Sequence, residues 1–222
     1  VNEPTRFRDL TIGAFLERLS SDESVPGGGS AAAVAGSLAA ALVSMVARLS
    51  RRQKLAEHSQ LHDFAEGEGR RLAAWLTELA DDDAAAYAAY AAALKLPRAT
   101  LEESEARAMA KLHAARVASE VPLATVEACL QVMKAAEALA GRCNLNASSD
   151  LTVASLLAEA AAESAAANVR VNLPALGDDP WVGEVEASLD ELLAEMAQLG
   201  ESCRTTVASG RTREPIGLVN AP

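Results

Sequence analysis

The sequence predicts an all-α protein, a single-domain bundle of long alanine-rich helices that pairs with a second copy of itself. Three observations lead there. Fifty of the 222 residues are alanine, the strongest helix former and a poor strand former. Aromatic residues make up only 3%, and β-rich runs with period-two alternation are scarce. Small side chains also bury little area each, so such helices approach closely and gain by enlarging their core through dimerisation.

The elements follow in order. Thr11 is a helix N-cap ahead of Ile12, Phe15, Leu16 and Leu19, which share one stripe ending near Ser20. A loop over 21–29 leads to a second helix from Ser30 to about Ser50, with Ala32, Gly36 and Ala40 spaced four apart on a face that admits a neighbouring helix. A third helix is expected from about Leu55 to Leu94, interrupted near Gly67 or Gly69. At 100° per residue its apolar face carries Leu61, Ala65, Leu72, Leu76 and Leu79, and extends to Asp83, Tyr87 and Tyr90, with Asp81 opposite. Leu96-Pro97 ends it.

Thr100-Leu101-Glu102-Glu103 is a capping box that opens a fourth helix. Pro122 is expected to kink or break that helix after Glu120, and Gly141 closes it. A fifth helix spans about Ala147 to Val171 and a sixth Trp181 to about Ser209, separated by a loop from Leu173-Pro174 to Asp179-Pro180. The domain is read as 1–222, with a core from about 10 to 209 and a loose tail after Arg211.

A formal net charge of −11 argues against nucleic acid, whose non-specific binding comes from lysine and arginine neutralising phosphates. The basic cluster Arg51-Arg52-Gln53-Lys54 can still hold a small anion. Residues 24–47 contain no charge, but their Ala, Gly and Ser content gains little from lipid, so a buried central helix is expected rather than a membrane span. Cys129, Cys143 and Cys203 fit no metal or redox spacing, and the cytoplasm is the expected compartment.

Several residues stand out chemically. Pro26-Gly27-Gly28-Gly29-Ser30 precedes a helix, where backbone N–H groups can face an anion; a phosphate loop would need lysine next, and Ala31 follows Ser30. A connection requiring close backbone approach is the plainer reading. Asp83 on an apolar face is either paired with a buried cation or poised for acid–base work. Lys95, about 18 Å further along a continuous helix at 1.5 Å per residue, can reach a ligand but not Asp83. Asp150, Leu157, Ala161, Ser164, Asn168 and Asn172 share one face of the fifth helix, with Asp150 and Asn168 about 27 Å apart. They can join one pocket only if a second subunit brings the ends together. His58 and His62 have metal-ligand spacing without a third ligand and are read as exposed polar residues. His113 has no recognisable partner, and Trp75 and Trp181 are expected to pack.

Taken in order, Pro26-Gly27-Gly28-Gly29-Ser30, Asp81-Asp82-Asp83-Ala84, Lys95-Leu96-Pro97, Glu120-Val121-Pro122-Leu123, Asn144-Leu145-Asn146-Ala147-Ser148-Ser149-Asp150 and Asn168-Val169-Arg170-Val171-Asn172 resemble the formiminotetrahydrofolate cyclodeaminase and methenyltetrahydrofolate cyclohydrolase family. The resemblance covers about residues 10–195. It implies a dimeric helical enzyme acting on the one-carbon unit between N5 and N10 of tetrahydrofolate, with no metal and no cofactor beyond that folate. The cyclohydrolase reaction is preferred, because no formiminotransferase domain is attached; the alternatives are the cyclodeaminase, which releases ammonia, and a non-catalytic helical scaffold. The resemblance assigns Asp83 as general base or cation stabiliser, with Asp150 or Lys95 assisting proton transfer. It assigns substrate binding to Gly27, Gly28, Gly29, Ser30, Asn144, Asn168, Arg170 and Asn172. Asp82 stands where the family usually has glutamate, and 51–54 where it tends to carry consecutive lysines; both preserve charge.

Overall fold

A computed structural model describes residues 6–51 and 53–216. Its helices are α1 (Ile12–Leu19), α2 (Gly28–Leu49), α3 (Ser59–Leu94), α4 (Leu101–Leu139), α5 (Ser148–Asn172) and α6 (Pro180–Ser209), with short 3₁₀ segments at Phe7–Asp9, Gln53–His58, Leu145–Ala147 and Leu173–Leu176, the second of them kinked at Leu55. No strand occurs among the described residues. Thr11 caps α1 by accepting the Ala14 N–H, and Thr100 and Glu103 form the reciprocal capping box of α4.

α2 is the central helix, packed against α3, α4 and α5, while α6 lies along α4 and α5. By length and composition α2 is apolar enough to cross a membrane; in the fold Ala33, Ala39, Ala40, Val43 and Ala47 are fully enclosed by its neighbours. α3 passes through Gly67 and Gly69 without the expected interruption. A Cβ on Gly69 would stand 2.8 Å from both the Ala40 carbonyl oxygen and the Ser44 nitrogen. Glycine there lets α3 lie directly on the α2 backbone, and the contact offsets the intrinsic cost of about 1 kcal/mol of glycine in a helix.

α4 likewise continues through Pro122. Proline removes the N–H that would satisfy the carbonyl of Ala118, four residues earlier. The Asn172 side chain at the end of α5 replaces it, donating from Nδ2 to that carbonyl oxygen at 2.6 Å. The break predicted from Pro122 is therefore repaired from another helix, and the same bond pins the C-terminal end of α5.

Other expectations are corrected by packing. The α1 stripe is not buried: Ile12 and Leu16 are exposed, and Phe15 reaches the Phe7 ring edge-on. Tyr87 is exposed rather than in the core. His58 and His62 are buried, not exposed. The start of α3 tucks beneath the turn after α4, where His62 Nε2 lies 2.7 Å from the Arg142 carbonyl oxygen. Burial, the largest influence on His58, pulls its pKa below the usual histidine value against the opposing pull of Glu57. Trp181 stacks under the Arg116 guanidinium at 3.5 Å from the ring centroid, consistent with a packing role.

The segment after Arg211 is not loose as far as Ile216. The Arg213 N–H donates to the Gly141 carbonyl, and its guanidinium meets Glu137 Oε1 at 2.6 Å and Thr206 Oγ1 at 2.7 Å. Arg142 Nε donates to the Glu214 carbonyl at 2.6 Å. Residues 217–222 lie outside the described residues.

The Pro122–Asn172 relation makes a prediction. Asn172→Ala leaves a half-buried carbonyl unpaired and destabilises by about 1–3 kcal/mol. In a Pro122→Ala background the backbone N–H returns, and the same change costs less than about 1 kcal/mol. Urea unfolding of the four proteins measures the coupling; additive effects would show that Asn172 does not compensate for the proline.

Candidate functional site

The site is built where the beginning of α2, the middle of α3 and the end of α5 meet. α2 starts at Gly28 after an N-cap, Gly27, that supplies no side-chain bond. Its first N–H groups therefore lack a local cap. The Asp83 carboxyl comes across from α3 to this bare turn. A Cβ on Gly29 would overlap Asp83 Oδ1 and stand 2.6 Å from its Cγ, so only glycine lets the carboxyl rest on the backbone here. Asn168 arrives from α5: a Cβ on Gly28 would stand 3.9 Å from its Nδ2.

Ser30 is fully buried, and its Oγ lies 2.9 Å from both Asp83 Oδ2 and the Ala80 carbonyl oxygen. Asp83 experiences opposing influences. Burial is the largest and raises its pKa, while bonds from the Ser30 hydroxyl and backbone oppose it; the net direction is upward. A carboxyl with a raised pKa, held beside the positive end of a helix, is suited to taking up a proton and giving one back.

The neighbouring acids divide the labour. Asp81, expected on the far side of α3, accepts the Phe7 N–H at 2.8 Å and fastens the N-terminal turn. Asp82 is exposed, with its pKa raised by burial first and by Asp81 and Glu78 next. Asp83 is thus the acid of the triplet committed to the α2 turn.

The remaining residues expected at a site are distributed unevenly. Gly28, Gly29, Ser30 and Asn168 join Asp83, and Gly27 caps the same helix. Lys95 is the C-cap of α3, twelve residues beyond Asp83. Asp150 lies in the first turn of α5, at the opposite end from Asn168. Asn144 is there too, its N–H bonded to Ser50 Oγ at 2.8 Å and its side chain accepting the Asn146 N–H, so it joins the end of α2 to the start of α5. Arg170 turns to α6 and pairs with Asp190 at 2.9 Å. Asn172 is occupied by Ala118. Of the basic cluster, Arg51 bridges Asp63 and Glu66, and the side chains at 52–54 lie outside the described residues. Among the described residues no group of three His, Cys, Asp or Glu side chains is placed to hold a metal.

Ser30 and Asn172 acquired different roles from those the sequence suggested. Their signals were present: Ser30 directly follows the glycines, and Pro122 implied a vacant carbonyl. Neither signal named its partner, because both bonds join helices distant in sequence.

Comparison with known proteins gives the family and the fold. A family model described as formiminotransferase-cyclodeaminase matches residues 11–191. The chain is 41% identical over 204 residues to a methenyltetrahydrofolate cyclohydrolase of Methylorubrum extorquens, covering 90% of this chain and 96% of that protein. It is 36% identical over 196 residues to the formimidoyltransferase-cyclodeaminase of Rattus norvegicus, covering 84% of this chain but 35% of that longer protein. The fold matches that of a formiminotetrahydrofolate cyclodeaminase from Thermotoga maritima with a TM-score of 0.75 at 24% identity, over 91% of this chain and 96% of the other.

Proposed function

This chain belongs to the formiminotransferase-cyclodeaminase family, and from that membership we propose that it is a folate one-carbon enzyme catalysing the cyclohydrolase reaction, 5,10-methenyltetrahydrofolate plus water to 10-formyltetrahydrofolate. The observation that carries the choice is the 41% identity to a cyclohydrolase spanning nearly all of that protein. The longer relatives, of which this chain spans about a third, support the cyclodeaminase as the second reading.

Asp83 is the proposed base. Water adds to the cationic methenyl carbon as its proton passes to Asp83. The carbon–N5 bond then breaks, with a proton delivered to N5, and one proton is released to solvent overall. Carbon stays at the oxidation level of formate throughout, so the chemistry calls for no redox cofactor. The α2 N-terminal turn and Asn168 form the wall against which the folate is oriented. The three cysteines are buried and unpaired, in keeping with a reducing, cytoplasmic setting.

The site is proposed to be completed by a second copy. α2 and α5 pack antiparallel, since Leu49 and Asn144 are joined at one end and Gly28 and Asn168 meet at the other. Leu38, Met45 and Leu49 of α2 and Val153 and Leu156 of α5 are exposed, and they are proposed to form one outward apolar face. A two-fold axis through this face, near the middle of α5, sets the Asp150 end of one protomer against the Asp83–Asn168 end of its partner. This removes the separation of about 27 Å within one chain.

Purified protein given 5,10-methenyltetrahydrofolate is expected to bleach its chromophore well above the uncatalysed rate, and Asp83→Asn to lose at least ~100-fold of that rate while remaining folded. Appearance of the chromophore from 5-formiminotetrahydrofolate instead selects the cyclodeaminase, and inactivity on both folates rejects the folate reading.

The shared site predicts complementation. Mixing inactive Asp83→Asn and Asp150→Asn proteins under subunit exchange restores up to about a quarter of wild-type activity per site by random assortment of protomers. A monomer on sizing, or no restoration after demonstrated exchange, contradicts it.

A further inference from the structure

Ser30 Oγ has one hydrogen and two acceptors at the same distance, Asp83 Oδ2 and the Ala80 carbonyl oxygen, each 2.9 Å away. The hydroxyl is fully buried, so it is closed to substrate, contrary to the binding role expected from its place after the glycines. Both acceptors are on α3, three residues apart, and Ser30 is held by the first turn of α2. Its oxygen therefore stays in place while its hydrogen turns from one acceptor to the other.

We infer that Ser30 is a positioning residue for Asp83, giving its hydrogen to the carboxylate when Asp83 is ionised and turning it to the Ala80 carbonyl when Asp83 takes up a proton. In the second state the protonated Asp83 Oδ2 donates to Ser30 Oγ, so the hydroxyl and Oδ2 remain bonded to one another in both states. No proton leaves the serine; the proton that Asp83 gains comes from the attacking water. The same carboxyl can thus accept and return a proton without moving, as the water-addition and ring-opening steps require.

The two bonds are unequal. A hydrogen bond to an ionised carboxylate is about twice as strong as one between neutral groups, so Ser30 favours the ionised form on balance, in agreement with its opposition to burial at Asp83. Among the described residues no cation contributes to the surroundings that set the Asp83 charge. α2 carries no charged residue from Gly28 to Ala47. α5 presents the Asn168 amide, with Glu163 exposed and Arg170 bound to Asp190. On the N-terminal side Arg8 faces Glu78, and on α3 itself Asp81 holds the Phe7 N–H and Asp82 is exposed.

The test is Ser30→Ala, a change that suits a helix. Carbon-13 NMR of the Asp83 carboxyl in the full-length protein is expected to show its titration midpoint displaced upward by about one pH unit from wild type. The kinetic arm rests on the cyclohydrolase reading: the acidic limbs of kcat and kcat/KM move upward by the same amount, so that on that limb turnover falls by up to about 10-fold and rejoins wild type as pH rises, and KM changes less than about threefold. An unchanged or lowered Asp83 midpoint overturns the inference, whatever the activity. A raised midpoint in a protein inactive on both folates upholds Ser30 and rejects the folate reading.

Discussion

The carboxyl of Asp83 resting on the bare backbone of Gly29 is the contact on which the rest of the site depends. It joins the middle of one long helix to the first turn of another, and it requires position 29 to lack a side chain. Once made, it fixes how far α3 slides along α2, brings Ser30 within reach of the carboxyl, and supplies an N-terminal turn without its own cap with an acidic neighbour. Burial works against the charge while the helix end and Ser30 favour it. A group held between such opposing influences can change protonation readily, which is the property acid–base chemistry needs.

The surroundings show how a small-residue bundle achieves such closeness. Gly69 brings α3 down on the α2 backbone, as Gly29 does nearer the site, and buried alanines keep the helices thin between these points. At the C-terminal end of α5, Asn172 supports α4 at the carbonyl freed by Pro122 and thereby holds the turn carrying Asn168. The geometry of the candidate site and the packing of the helices are here the same problem. The apolar outer face proposed for α2 and α5 is the remaining consequence: thin helices leave a bundle whose surface still has area to bury.

Most of the helical order was legible in the sequence because its signals are local. Thr11 as cap, Thr100 with Glu103 as capping box, and Gly141 after α4 each act within a few residues. Asp83 was legible from its place on an otherwise apolar face. What was not legible depends on partners far along the chain. Pro122 reads as a break unless Asn172 is known to lie beside Ala118, and Gly69 reads as an interruption unless α2 is known to lie against it. His58 and His62 look like surface residues until the turn after α4 covers them. Ser30 looks like a ligand contact until α3 encloses it. In each case tertiary contact overrode a local tendency, and periodicity carries no record of such contacts.

The contact at Gly29 can be tested against a glycine that meets nothing. A Cβ at Gly67 finds no atom within 4 Å, so Gly67→Ala controls for adding a methyl group to a helix of the same bundle. Turnover of 5,10-methenyltetrahydrofolate by the two folded variants is the decisive measurement. Gly29→Ala is expected to lose about 100-fold or more, the scale that follows when a reacting group is displaced by about 1 Å, with helicity retained and Gly67→Ala within about twofold of wild type. Undiminished turnover by Gly29→Ala would show that the chemistry does not depend on Asp83 resting against that backbone.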